Sequence, residues 1–298
     1  MDECGDIDYD KLDKLIEDQI AAGVAGVLAC GTTAQSATLS LEEHVQLAKH
    51  IHSRVSGRCQ YIASAGSNNT REALFLTEAI FDQIGPATFL HVTGYYNNPP
   101  QEGLIAHYES IAGLCADLES NVILYNVPGR TNSELEPETI IRLSEHEAII
   151  GLKEARGADE SAVVKTAEVI EGTNPEKFRV LSGEDDLVAW MMNPSSFKGG
   201  NHAYGVISAT ANVAPLLMKN ICTAALRGEH DLAFEFQEYA HDIINAVFCA
   251  KNPIPLAHMF NTQLRKPLVR LDSIQDTCDE ALSKYPVQDL GIDIAKYR

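Results

Sequence analysis

The chain has 298 residues, 45% hydrophobic and 22% charged, a composition that excludes disorder, collagen and small disulfide scaffolds and leaves room for a sizeable core. Its 42 acidic against 23 basic residues give a formal net charge of -19, which repels phosphate backbones and anionic lipid, so neither nucleic acid nor membrane is expected as a partner. The seven cysteines are odd in number, scattered and never in C-x-x-C, which points to neither a disulfide framework nor a zinc site and fits a reducing cytoplasm.

The opening, MDECGDIDYDKLDK, is acidic and lacks an apolar or Arg-rich stretch, so no signal or transit peptide is expected. Leu12, Leu15, Ile16 and Ile20 then share one helical face, and Gly23 can end that helix. The apolar run Ile20 to Cys30 is shorter than the ~20 residues a membrane span needs and reads as the entry to a buried strand. From there short β-branched runs alternate with helical patterns, as in a parallel sheet covered by helices. Seven runs have strand character, at 24–30, 60–66, 87–93, 121–127, 148–153, 178–183 and 204–209. Between them Ser40 with Glu43, and Asn69 with Glu72, have capping-box spacing. Pro100, Pro137 and Pro215 sit where a first helical turn tolerates proline. Residues 193–202 read as a loop-like insert, and after Pro215 four helical patterns follow, at about 215–227, 229–250, 254–265 and 273–284. This organisation predicts a β/α barrel over 1–225 and a helical extension over 226–298.

In a β/α barrel the reactive groups gather at the C-terminal ends of the strands. Here Thr32 and Thr33 follow VLACG, Tyr95 and Tyr96 follow HVTG, Tyr125 and Asn126 follow VIL, Lys153 follows IIGL, and Gly183 with Glu184 follows RVLS. Lys153 is the most informative of them. Lysines in apolar strands are rare, and desolvation favours the neutral amine that a Schiff base needs. The alternative is a strand-end lysine paired with Glu154 or a helix carboxylate, and position alone leaves both open. The turn of Gly31, Thr32 and Thr33 can hold a carboxylate with amides and hydroxyls or be a plain tight turn. Arg130, after the Pro-Gly of NVPGRT, can pair with a second carboxylate or be a solvated surface arginine. For each tyrosine alone, packing is the ordinary reading. His44, His50 and His52 form no H-E-x-x-H, so no metal is expected, and neither a P-loop nor a G-x-G-x-x-G follows any strand.

The ordered set GTTAQSATLSLEEH, GYYNNPPQEGLIAHY, ILYNVPGRT, GLKEA, LSGED and GVISATAN resembles the dihydrodipicolinate synthase family, from about Gly5 to Pro215. The resemblance implies a (β/α)8 TIM barrel and a lyase, free of metal or organic cofactor, that joins pyruvate to aspartate semialdehyde on the path to lysine. By motif, Lys153 is its Schiff-base lysine. Thr32 and Thr33 bind the pyruvate carboxylate, and Thr33, Tyr125 and a Tyr96 donated across a subunit interface form a proton relay. Arg130 holds the semialdehyde carboxylate, and the backbone around Gly183 and Ile207 lines the pocket. The use of Tyr96 across an interface implies a homodimer or homotetramer. A lysine-inhibitor site by the same carry-over comprises Ser36, Ala37, His44, Asn68, Glu72 and Tyr95.

The chain departs from the family pattern at Ala34-Gln35, where Gly-Glu is usual, at Gly94 in place of proline, at Arg156 in place of threonine, and in the length of the 193–202 insert. Two other functions stay open beside the leading one. One is a sister aldolase of the N-acetylneuraminate lyase or keto-deoxy-sugar type, against which Arg130 argues; the other is a non-catalytic barrel that senses a small amino or keto acid. The opening ECGDIDYDKL is similar to the turn and helix that follow strand one of the family. A barrel lacking its first strand, or a natural start further upstream, is therefore expected.

Overall fold

The computed structural model describes residues 1–298. It is an α/β chain whose elements, in order, are α1 (Tyr9–Ala22), β1 (Gly26–Ala29), α2 (Leu41–Val55), β2 (Gln60–Ser64), α3 (Thr70–Ile84), β3 (Thr88–Val92), α4 (Gln101–Asp117) and β4 (Asn121–Asn126). There follow α5 (Pro128–Thr131), α6 (Pro137–Leu143), β5 (Ile149–Glu154), α7 (Glu160–Gly172), β6 (Arg179–Ser182) and α8 (Val188–Met191). The rest is helical: α9 (Pro215–Leu226), α10 (His230–Tyr239), α11 (His241–Phe248), α12 (Ile254–Met259), α13 (Gln275–Ser283) and α14 (Val287–Leu290). No helix is long and apolar enough to cross a membrane.

Contacts divide the chain into two compact units, residues 62–207 and residues 1–61 with 208–298. In the first unit β2 to β6 run parallel and in chain order. Strands buried on both faces should be apolar at consecutive positions. They are: Phe89 and Leu90 of β3, and Val122, Ile123 and Leu124 of β4, are all buried. Helix α4 turns Leu104, Tyr108, Ile111 and Cys115 inward, and the fully buried Tyr108 spends its hydroxyl on the carbonyl of His91 (2.9 Å). Each such side chain contributes about 1.5–3 kcal/mol of apolar transfer free energy. Gly151 marks a close strand contact, since a Cβ there would lie 2.6 Å from the carbonyl oxygen of Arg179 in β6.

In the second unit β1 meets the first residues of β2 through Gln60 N–H, which donates to Ala25 O (3.0 Å). Helix α1 ends at Gly23 in the left-handed conformation, and α2 begins with a complete capping box between Ser40 and Glu43. The C-terminal segments pack with these N-terminal elements. Gln19 of α1 donates to Ala211 O (2.9 Å), Tyr297 to Asp18 (2.7 Å), and Arg265 forks onto Glu43 (2.6 and 2.8 Å).

Three local expectations are corrected. The run 204–209 forms no strand but a single bridge between Val206 and Ser182, because Gly205, with φ of +156°, interrupts the extended backbone and Ala209 already enters a 3-10 turn at Thr210–Asn212. Asn69 caps α3 through Arg71 N–H, but Glu72 completes no capping box; its carboxylate accepts from Ser67 Oγ instead. Pro100 is the N-cap of α4, one position before the first helical turn. The 193–202 insert is two short 3-10 turns, Pro194–Ser196 and Lys198–Gly200.

Candidate active site

Tyr125 and Lys153 stand near the ends of neighbouring strands. The β4/β5 register runs Val122 to Ile149 and then Ile123 to Gly151, so β5 carries one extra residue, Ile150. Without that bulge Leu152 would be level with Tyr125; with it, Lys153 is. Residues level on parallel strands point to the same face, and Lys153 Nζ lies 4.5 Å from the centre of the Tyr125 ring. Tyr125 is buried and Lys153 half-buried. Lys153 forms no ion pair, which removes the reading of it as a lysine spent on a neighbouring carboxylate. Gly183 closes over its stem: a Cβ there would lie 3.1 Å from Lys153 Cε and 2.6 Å from the Ala155 side chain, so only glycine fits. Gly183 N–H donates to Glu154 O (2.6 Å), and Ile207 N–H donates to Ser182 O (2.9 Å).

Arg130 is exposed on the short α5, which Pro128 opens. Tyr96, with φ of +71° and 87% exposed, donates its backbone N–H to Thr131 O (3.4 Å), next in sequence to Arg130. Asn68 donates to Tyr95 O (3.4 Å), which brings two of the six inhibitor-site candidates together, while Glu72 stays with Ser67. An open cleft of about 340 Å³ lies beside α5, lined by Asn98, Gln101, Asn132, Ser133 and Glu134 among others; neither Lys153 nor Tyr125 belongs to it.

In the other unit Thr32 and Thr33 occupy a 3-10 turn, Thr32–Ala34, preceded by the buried Cys30 with φ of +55°. Thr33 Oγ1 accepts from Asn252 Nδ2 at 2.8 Å. Gln35 is buried and accepts from Arg265 N–H (2.8 Å), so the amide is engaged inside this unit. Ser36 and Ala37 form the next turn, Ser36–Thr38, and His44 is buried in α2 with its carbonyl accepting from Cys30 Sγ (3.5 Å).

Charged residues also cluster at the strand ends, and Glu154, one residue beyond Lys153, turns to the opposite face. Glu154 and the Arg156 side chain are almost wholly buried and paired at 2.8 Å, and Asn126 donates to both Glu154 oxygens (3.0 and 3.3 Å). Burial pushes the Glu154 carboxyl up, against the pull of Arg156. Glu184, after Gly183, is pushed up to about 7 by burial and then by Asp186, Asp185 and Glu154. Asn252 carried no signal, because its partner Thr33 is 219 residues away. Glu154 and Arg156 follow the lysine in KEAR, and a carboxylate and a guanidinium two residues apart at a buried strand end were the only available hint.

An α/β chain with an unpaired lysine level with a tyrosine at parallel strand ends has the equipment of an imine-forming lyase. A family model, Dihydrodipicolinate synthetase family, matches residues 1–282. A protein of Pseudomonas savastanoi pv. phaseolicola named 4-hydroxy-tetrahydrodipicolinate synthase is 38% identical over 285 residues, 95% of this chain and 92% of its own. The crystal structure of the chloride-inhibited dihydrodipicolinate synthase of Acinetobacter baumannii complexed with pyruvate is 36% identical, covering 98% of this chain and 96% of its own, with a TM-score of 0.85. That of the Cyanidioschyzon merolae enzyme with lysine bound is 31% identical, covering 93% and 92%, with a TM-score of 0.83. The chain belongs to the dihydrodipicolinate synthase family.

Proposed function

We propose that this chain is a lyase that condenses pyruvate with aspartate semialdehyde to 4-hydroxy-tetrahydrodipicolinate, the activity named for its relatives. The observation that carries the reading is Lys153, unpaired and level with Tyr125 on adjacent strands. Its neutral amine adds to the keto carbon of pyruvate and water leaves, forming an imine. Loss of a methyl proton gives the enamine, whose carbon attacks the aldehyde. The amine of the adduct then attacks the imine carbon, closing the ring and releasing Lys153.

The remaining roles follow the family motifs. Thr32 and Thr33 bind the pyruvate carboxylate. Thr33, Tyr125 and the Tyr96 of a neighbouring subunit relay protons, a reading that the exposed Tyr96 ring supports. Arg130 takes the semialdehyde carboxylate, and Gly183 and Ile207 line the pocket with backbone. The same reading makes the fold a (β/α)8-type barrel over 1–225, with 226–298 its helical extension. It also makes the protein a cytoplasmic homodimer or homotetramer. Ser36, Ala37, His44, Asn68, Glu72 and Tyr95 would hold inhibitory lysine, in keeping with the lysine-bound relative. Millimolar lysine should lower activity, and unchanged activity together with an unchanged Tm would dispose of that site.

The test of the activity is consumption of pyruvate by the purified chain. It should require aspartate semialdehyde, and Arg130→Ala should raise the KM for the semialdehyde far more than that for pyruvate. Cleavage of N-acetylneuraminate or of a keto-deoxy sugar, with no use of the semialdehyde, would assign the chain to a sister aldolase instead.

A further inference from the structure

The β5 bulge creates a problem that the backbone alone solves weakly. A slip of one residue past Ile150 would set Leu152, a side chain of the opposite face, level with Tyr125 and carry the amine away. We infer that Glu154, held between Asn126 and Arg156, is a positioning residue that locks β4 and β5 in the register bringing Lys153 level with Tyr125; this rests on the imine reading of Lys153.

Asn126 and Glu154 are the next level pair, one residue beyond the reactive one, and alternation turns them to the opposite face. There the Asn126 amide spans both Glu154 oxygens (3.0 and 3.3 Å), and its own Oδ1 accepts from Leu135 N–H (3.0 Å). Arg156 closes the cluster from three sides: backbone N–H to Glu154 Oε1 (3.1 Å), one terminal nitrogen to Glu154 Oε2 (2.8 Å), the other to Glu134 (2.9 Å). A register slip would break the side-chain bonds and leave a carboxylate buried without its donors. That penalty is steep, whereas a correctly paired buried ion pair adds little over an apolar filling of the same space. What such a cluster supplies is discrimination between registers.

The experiment compares kinetics with stability in the full chain. In Glu154→Leu/Arg156→Met, which fills the space with apolar groups, Tm should stay within a few degrees of the unaltered chain, while kcat and the rate of borohydride trapping with pyruvate fall about 10- to 100-fold and the pyruvate KM moves less than about 3-fold. Wild-type kcat and trapping rate in that variant would overturn the proposal. Should the double variant not fold, Glu154→Gln decides: a drop in kcat and trapping rate of roughly 10-fold supports the lock, and unchanged rates overturn it. If the unaltered chain itself traps no pyruvate, the imine reading is what has failed and the lock falls with it; trapping at Lys153 with rates untouched in the variants overturns the lock alone.

Discussion

Residues 62–207 carry Lys153 and Tyr125 on adjacent strands, whereas residues 1–61 with 208–298 carry Thr32 and Thr33 on a turn. Strands give Lys153 and Tyr125 a spacing set by the hydrogen-bond ladder, and a single bulge chooses which residue of β5 takes part. The turn of Thr32 and Thr33 has no ladder, and Thr33 depends on one side chain, Asn252, for its fixed hydroxyl. The two regions also differ in where they keep charge. Arg156 and Glu154 are buried, while Arg265 and Glu43 remain partly solvated, with 17% and 35% of their side chains exposed. Covalent chemistry needs an amine held in one place, which the ladder and its buried cluster supply; grip on a carboxylate needs amides and hydroxyls, which a turn supplies more simply.

Kinetics give the largest contrast. Lys153→Ala should cost roughly 10⁴-fold or more in kcat, because no other group can form the imine. Losing one relay group, as in Tyr125→Phe or Thr33→Val, should cost about 10²- to 10⁴-fold. A Lys153→Ala enzyme no slower than the relay variants would place the nucleophile elsewhere.

Next comes stability. Arg156→Ala strands a buried carboxylate and should lower the unfolding free energy by about 3–5 kcal/mol. Arg265→Ala leaves Glu43 partly exposed to water and should cost about 1 kcal/mol. Urea midpoints that fell equally in both variants would erase the distinction between the regions.

Acidity separates them again. Glu43 is held down to about 2, first by the hydrogen bond from Arg265 and then by the Ser40 amide. Its contribution is complete above the ordinary 4.5 and is lost as pH falls toward 2. Glu184 runs the other way. With its carboxyl pushed up to about 7, the folded chain keeps a proton that the unfolded chain has already released, so stability declines as pH rises from 4.5 to about 7 and is level above. Glu184→Gln should flatten that decline and Glu43→Gln the acid limb, read as urea midpoints across pH. A Glu184→Gln profile parallel to that of the unaltered chain would show that Glu184 titrates normally.

The smallest effect is expected at Asn252. Replacing it with alanine removes one hydrogen bond to Thr33, about 1 kcal/mol, and should lower kcat/KM for pyruvate several-fold. No change would mean that the turn orients Thr33 by itself.

The legible parts of the sequence were the local ones. Gly23 and the Ser40/Glu43 box announce a helix end and a helix start because each device lies within one turn of chain. Lys153 and Tyr125 stand out because a polar group ends an apolar run. The run 204–209 misled, since its composition is that of a strand while Gly205 takes a positive φ. The extra residue Ile150 was invisible for a similar reason: register belongs to two strands at once. Asn126, Glu154 and Arg156 act only as a set, and the Asn252–Thr33 bond joins residues too far apart for any pattern to connect.

The central claim, that Lys153 is the nucleophile, is tested most directly by mass spectrometry of the chain after pyruvate and borohydride. One reduced pyruvate per chain, located at Lys153 and absent from Lys153→Ala, is the expected result. Label at another lysine, or none at all, would contradict it.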